Sequence, residues 1–142
     1  MFTSLCAVAF VPSVALSWYG HQVTSGDLKV LIEEVSEVTA LDESVPVKVT
    51  LENTGGAAIS GTVEIRDLVD ATRVVGEAKK EFTVEPGGKT VLDFAIAFGE
   101  GSYSALYPVH AYVDYERDGK SASAHAVRIV ATKFARADGS AA

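Results

Sequence analysis

The sequence predicts an all-β protein built as two sheets packed face to face. Three observations carry that prediction. From Leu28 onward apolar residues recur at every second position, the period of a strand with one buried face. Turn-forming clusters (Asn53-Thr54-Gly55-Gly56, Pro86-Gly87-Gly88, Asp118-Gly119) interrupt that rhythm at short intervals. No stretch of helix length keeps a 3.6-residue apolar period. Glu33 to Ala40 comes nearest, and it is short and carries Val35, Val38 and Thr39, whose branched side chains favour strands.

The elements follow in order. Leu28, Val30 and Ile32 form a first short alternation. Val45, Val47, Val49 and Leu51 form a second, with Pro46, Lys48, Thr50 and Glu52 on the opposite face. Asn53 to Gly56 then reverses the chain, Asn and Gly being the residues that tolerate positive φ. Val63 and Ile65, with Leu68, oppose Thr62, Glu64 and Arg66 in the next strand, and a looser segment from Val69 to Glu77 follows. Phe82 and Val84 lead into Pro86-Gly87-Gly88, where Pro sets φ and Gly permits the reversal. Leu92, Phe94, Ile96 and Phe98 share one side of the strand after it. A long run from Tyr103 to Tyr115 meets Asp118-Gly119, the strongest two-residue hairpin signal in the chain, and a last strand runs from about Ser121 to Ala131. Val47, Val49, Val63, Ile65, Phe94, Ile96, Val113 and Val127 are the core candidates. About seven strands with such turns predict an immunoglobulin-like sandwich with Greek-key connections, an open barrel being the alternative.

Composition narrows the function classes. A chain of 142 residues with a formal charge of −7 suits one domain, and it lacks the basic clusters that nucleic acid or anionic lipid would require. Its 48% apolar content is more than enough for a packed core, which argues against disorder. The single cysteine, Cys6, excludes an intrachain disulfide framework.

No Asp, Glu, Lys or Arg precedes Asp27. Leu5 to Leu16 is apolar apart from Pro12 and Ser13, too short to span a bilayer as a helix but suited to the apolar region of an export signal. Ala15-Leu16-Ser17 has the small-x-small form of a cleavage site, and Ser13-Val14-Ala15 is a second option. The positive segment that normally opens a signal is missing, and the competing reading is a buried first strand. The expected division is therefore residues 1–17 as signal peptide, 18–134 as the sandwich, and 135–142 as a flexible tail or linker. The matching location is secreted, cell-surface or periplasmic, with no membrane span in the mature chain.

Val45 to Asp67 (VPVKVTLENTGGAAISGTVEIRD) resembles the start of bacterial and archaeal extracellular sandwich domains of the CARDB-like or NEW3-like type. Phe82 to Ile96 resembles their V-x-P-G turn, and Gly101 to Gly119 their penultimate strand and hairpin. The resemblance covers roughly Leu28 to Ala131 and rests largely on hairpin chemistry that any sandwich can reuse, so it bears on fold more than on function. It implies a non-catalytic accessory or spacer module, often beside a carbohydrate-active enzyme.

The residues that could carry chemistry are few. A two-residue turn at Asp118-Gly119 places Tyr112 opposite His125 and His110 opposite Val127, with both histidines on one face. His110 and His125 are thus the candidate metal ligands, although no H-x-H or H-x-x-x-H pattern supplies a third; surface or hydrogen-bonded histidines are the plainer reading. Tyr107 and Tyr112 are the candidate sugar-stacking rings. Against that stands the corner role a sandwich requires of a tyrosine near the start of its penultimate strand, which Tyr103 or Tyr107 suits. Glu33, Glu34, Glu37, Asp42 and Glu43 lack the spacing of a calcium loop and read as a solvated acidic edge. No nucleophile elbow or phosphate-cradling glycine loop occurs, so neither catalysis nor a cofactor is expected. The expected function is a structural or interaction module whose partners are other protein domains or cell-surface proteins. The alternatives are a glycan-binding module and a self-assembling subunit that donates its apolar N-terminal strand.

Overall fold

The structure is a computed structural model and describes residues 20–134. Nine strands form two antiparallel sheets: β1 Gln22–Ser25, β2 Leu28–Ile32, β3 Val45–Asn53, β4 Ile59–Arg66, β5 Thr72–Val74, β6 Lys79–Val84, β7 Lys89–Phe98, β8 Leu106–Arg117 and β9 Lys120–Ala131. One sheet has the order β1-β2-β3-β7-β5 and the other β6-β4-β8-β9. The links from β3 through β8 each cross between sheets, so β3 pairs with β7 and β4 with β8, the non-sequential neighbours of a Greek key.

The seven expected strands are all present, and β1 and β5 are additional. These two have four and three residues, too short for an alternation to show in sequence. Glu33 to Ala40 is not helical: Val38 bridges to Thr132, which fixes the loop against the end of β9. The Tyr103 run begins as a strand only at Leu106. No helix among the described residues is long and apolar enough to cross a membrane. The export segment 1–17, Cys6, Trp18 and the 135–142 tail lie outside the described residues.

The alternation works as the core. Val30, Val47, Val49, Leu51, Ile96 and Phe98 from one sheet meet Ile59, Val63, Ile65, Val109 and Val113 from the other, all essentially without exposure. Each such side chain removed from water contributes about 1.5–3 kcal/mol, which is what presses the layers together. Of the eight core candidates only Val127 is misplaced. It pairs with His110 on the outward face and is half-buried, because its parity in β9 is that of His125.

Hydrogen bonds close the ends. At the Asp118-Gly119 turn both residues have positive φ, 54° and 77°, as a type I′ hairpin demands. Gly87 has φ 73°, and the Gly88 amide donates to the Glu85 carbonyl at 2.8 Å, closing the Pro86 turn. The Asn53 reversal works differently from expectation, because Asn53, Gly55 and Gly56 all avoid positive φ. Asn53 acts through its side chain, and Gly55 is required by space, since a Cβ there would collide with the Asp27 carboxylate. That carboxylate also holds the Arg117 guanidinium at 2.6 Å, tying the β1–β2 turn to the end of β8.

Candidate interaction face

The outward face of β4, β8 and β9 gathers most of the residues singled out in the sequence. Strands run side by side here, so cross-strand neighbours stack. Tyr112 is paired with Glu64 on β4 and with His125 on β9; His110 is paired with Arg66 and Val127. The Tyr112 and His125 rings lie nearly parallel, 11° apart, with centroids 4.4 Å apart. On the β4 side the Arg66 guanidinium carbon sits 4.0 Å from the Tyr112 centroid, a cation–π contact. Arg66 and His125 approach from opposite neighbouring strands, so the two together cover both faces of the Tyr112 ring. The Tyr112 hydroxyl donates to Asp67 Oδ2 at 2.6 Å, and this bond to a carboxylate pushes the phenol above its ordinary range.

His110 Nδ1 and His125 Nε2 are 2.8 Å apart and share a hydrogen bond. Their rings are 28° from coplanar with centroids 5.0 Å apart. Two rings whose nearest nitrogens are that close can have centroids that far apart only if they meet end to end, each nitrogen aimed at the other. Partial burial holds His125 below the ordinary imidazole value of 6.5; the adjacent His110 adds to the effect, Asp67 opposes it and Arg66 reinforces it.

Towards one end the same face turns apolar. Leu106 is 70% exposed and Ile129 48%, with Pro108 and Val127 half-buried between them. Towards the other end it is scooped into an open groove of about 670 Å³, shaped by the short side chains of Ser60, Thr62, Thr83 and Ser121 and bordered by Glu81 and Asp114.

Tyr107 has another task. It is buried, its ring 5.1 Å from that of Phe98, and its hydroxyl accepts from the Tyr103 amide at 2.7 Å while donating to Asp70 Oδ2 at 2.9 Å. This is the corner bond of a sandwich, formed by Tyr107, while Tyr103 points into water at 68% exposure. Burial is the main cause that raises the Tyr107 phenol above its usual range. The sugar-stacking expectation thus finds Tyr107 in the core and Tyr112 with neither ring face open.

The acidic residues Glu33 to Glu43 lie in the β2–β3 loop and not on a strand edge, and Glu33 accepts a hydrogen bond from Thr50 at 2.8 Å. Among the described residues, no three His, Cys, Asp or Glu side chains converge as a metal site. Sequence reasoning placed the histidine face correctly by parity but missed Arg66 and Asp67. Arg66 ends β4 and Asp67 follows it, some forty residues away in sequence, and only the β4–β8 pairing brings them in.

No family model matches the chain, and a search of curated proteins finds no match. Solved structures of similar fold exist. The GAE domain of yeast GGA1 superposes with a TM-score of 0.59 at 10% identity, covering 76% of this chain and 95% of that one. The ASH/PapD-like domain 7 of human CEP192 gives 0.54 at 12% identity, covering 80% and 92%. A FixG-related protein from Vibrio parahaemolyticus gives 0.52 at 8% identity, covering 76% and 98%. At these identities the likeness is one of fold: an immunoglobulin-like β-sandwich.

Proposed function

We propose that the chain is a non-catalytic interaction module, exported and presented outside the cell or in the periplasm, that docks another protein domain on the outward face of β8 and β9. The observation that carries this reading is the exposed apolar end of that face. Leu106 and Ile129 stand out on a sheet whose core is otherwise fully covered, beside Pro108 and Val127. A contiguous apolar surface on a folded domain is the usual mark of a docking site. The rigid two-layer body behind it suits a spacer or accessory role of the CARDB-like or NEW3-like kind, and residues 1–17 would direct the export.

The test is a paired comparison in the native secreted or envelope fraction. Leu106→Glu with Ile129→Glu leaves the core untouched, so the fold and its melting temperature persist. The wild-type chain retains one defined protein partner in stoichiometric amount, and the double variant loses it. If both forms retain the same partner, or neither retains any, the reading fails.

A further inference from the structure

We infer that His110 and His125 form a two-nitrogen site for a late first-row divalent metal ion, Cu²⁺ foremost. The inference is independent of the proposed docking role. Three features of the geometry support it. The facing nitrogens are 2.8 Å apart, and two nitrogens bound about 2.0–2.1 Å from a common ion stand roughly 3 Å apart. That spacing belongs to ligand axes that meet near a right angle, so the His110 ring, now end to end with His125, must swing until its axis lies across that of His125 for the ion to enter. The rings meet end to end, so both facing lone pairs point into the same gap once the ring that now donates moves its proton to its outer nitrogen. This tautomer change leaves both rings neutral. Finally, His125 is held in place by the parallel Tyr112 ring, itself braced by Arg66 and Asp67, so one ligand is already oriented before the ion arrives.

The charges on this face favour a cation on balance. Arg66 opposes it but is paired with Glu64 at 3.6 Å, while Asp67 at the Tyr112 hydroxyl, Asp114 and a formal chain charge of −7 favour it. The Asp67 carboxylate is occupied by the Tyr112 hydroxyl, so water completes the coordination. An exposed imidazole pair with open positions suits Cu²⁺, which binds nitrogen most strongly in the divalent series and accepts tetragonal geometry; Ni²⁺ and Zn²⁺ follow more weakly.

The test is titration of the exported protein with Cu²⁺, followed by calorimetry and by electron paramagnetic resonance. His21 is a third imidazole, so His21→Asn is included as a control. The expected result is one ion per chain with hyperfine structure from two imidazole nitrogens, unchanged in His21→Asn. His110→Asn and His125→Asn should each weaken binding by about tenfold or more, because either change removes one arm of a chelate. Both histidines are on the sheet surface, so circular dichroism should show the variants folded. The inference is overturned if no stoichiometric ion binds, if only one of the two variants weakens it, or if His21→Asn abolishes it.

Discussion

The Asn53 side-chain amide donates to the Val84 carbonyl at 3.1 Å, joining the end of β3 in one sheet to the end of β6 in the other. The same nitrogen donates to Ala57 O at 2.7 Å, and Asn53 Oδ1 accepts from the Gly55 amide at 2.9 Å. Asn53 is fully buried and so is its bond to the Val84 carbonyl, which has no water to replace it. Asn53→Leu strands three partners at once. The expected loss is about 2–4 kcal/mol, read as a lower urea midpoint at unchanged slope. A variant within about 0.5 kcal/mol of wild type would show that the inter-sheet bond is dispensable.

Tyr107 and Tyr112 both donate to carboxylates, but only one is buried. Tyr107→Phe leaves the Tyr103 amide without its acceptor and should cost about 1–3 kcal/mol. Tyr112→Phe keeps the ring stack and loses only an exposed bond, so it should stay within about 0.5 kcal/mol. Thermal unfolding of the two single variants, side by side, decides whether the corner or the surface stack carries stability.

Gly61 sits where β4 passes close to β8. A Cβ there would land on the Asp114 carbonyl oxygen and the Tyr115 Cα, both backbone and unable to rotate away. Gly61→Ala should therefore separate the two central strands of the sheet and cost about 3 kcal/mol or more. Gly56→Ala meets nothing within 4 Å and is the matched control, expected near zero. Equal stability of the two variants would contradict the close approach.

The pH dependence follows from His125. Its folded-state value lies below the unfolded value of 6.5, so between the two the unfolded chain binds more protons. Stability from this group is complete above the unfolded value and is lost as pH falls through 6.5 toward the folded value. Melting temperatures measured at descending pH should decline across that window, and His125→Asn should flatten the decline. An identical slope in the variant would assign the titration elsewhere.

The all-β class, the seven longer strands, the hairpin register at Asp118-Gly119 and seven of the eight core candidates were legible in the chain itself, because a half-buried strand writes its buried face into every second residue. Pairing across a two-residue turn is local, which is why the Tyr112–His125 opposition could be counted out beforehand. What only the tertiary structure decided depends on contacts distant in sequence. Arg66 and Asp67 join the histidine face through the β4–β8 pairing, Asp70 meets Tyr107 from a separate loop, and Asn53 finds Val84 across the two layers. Period and turn chemistry describe one strand and its next neighbour; which strands become neighbours is settled by how the two sheets bury their apolar faces together.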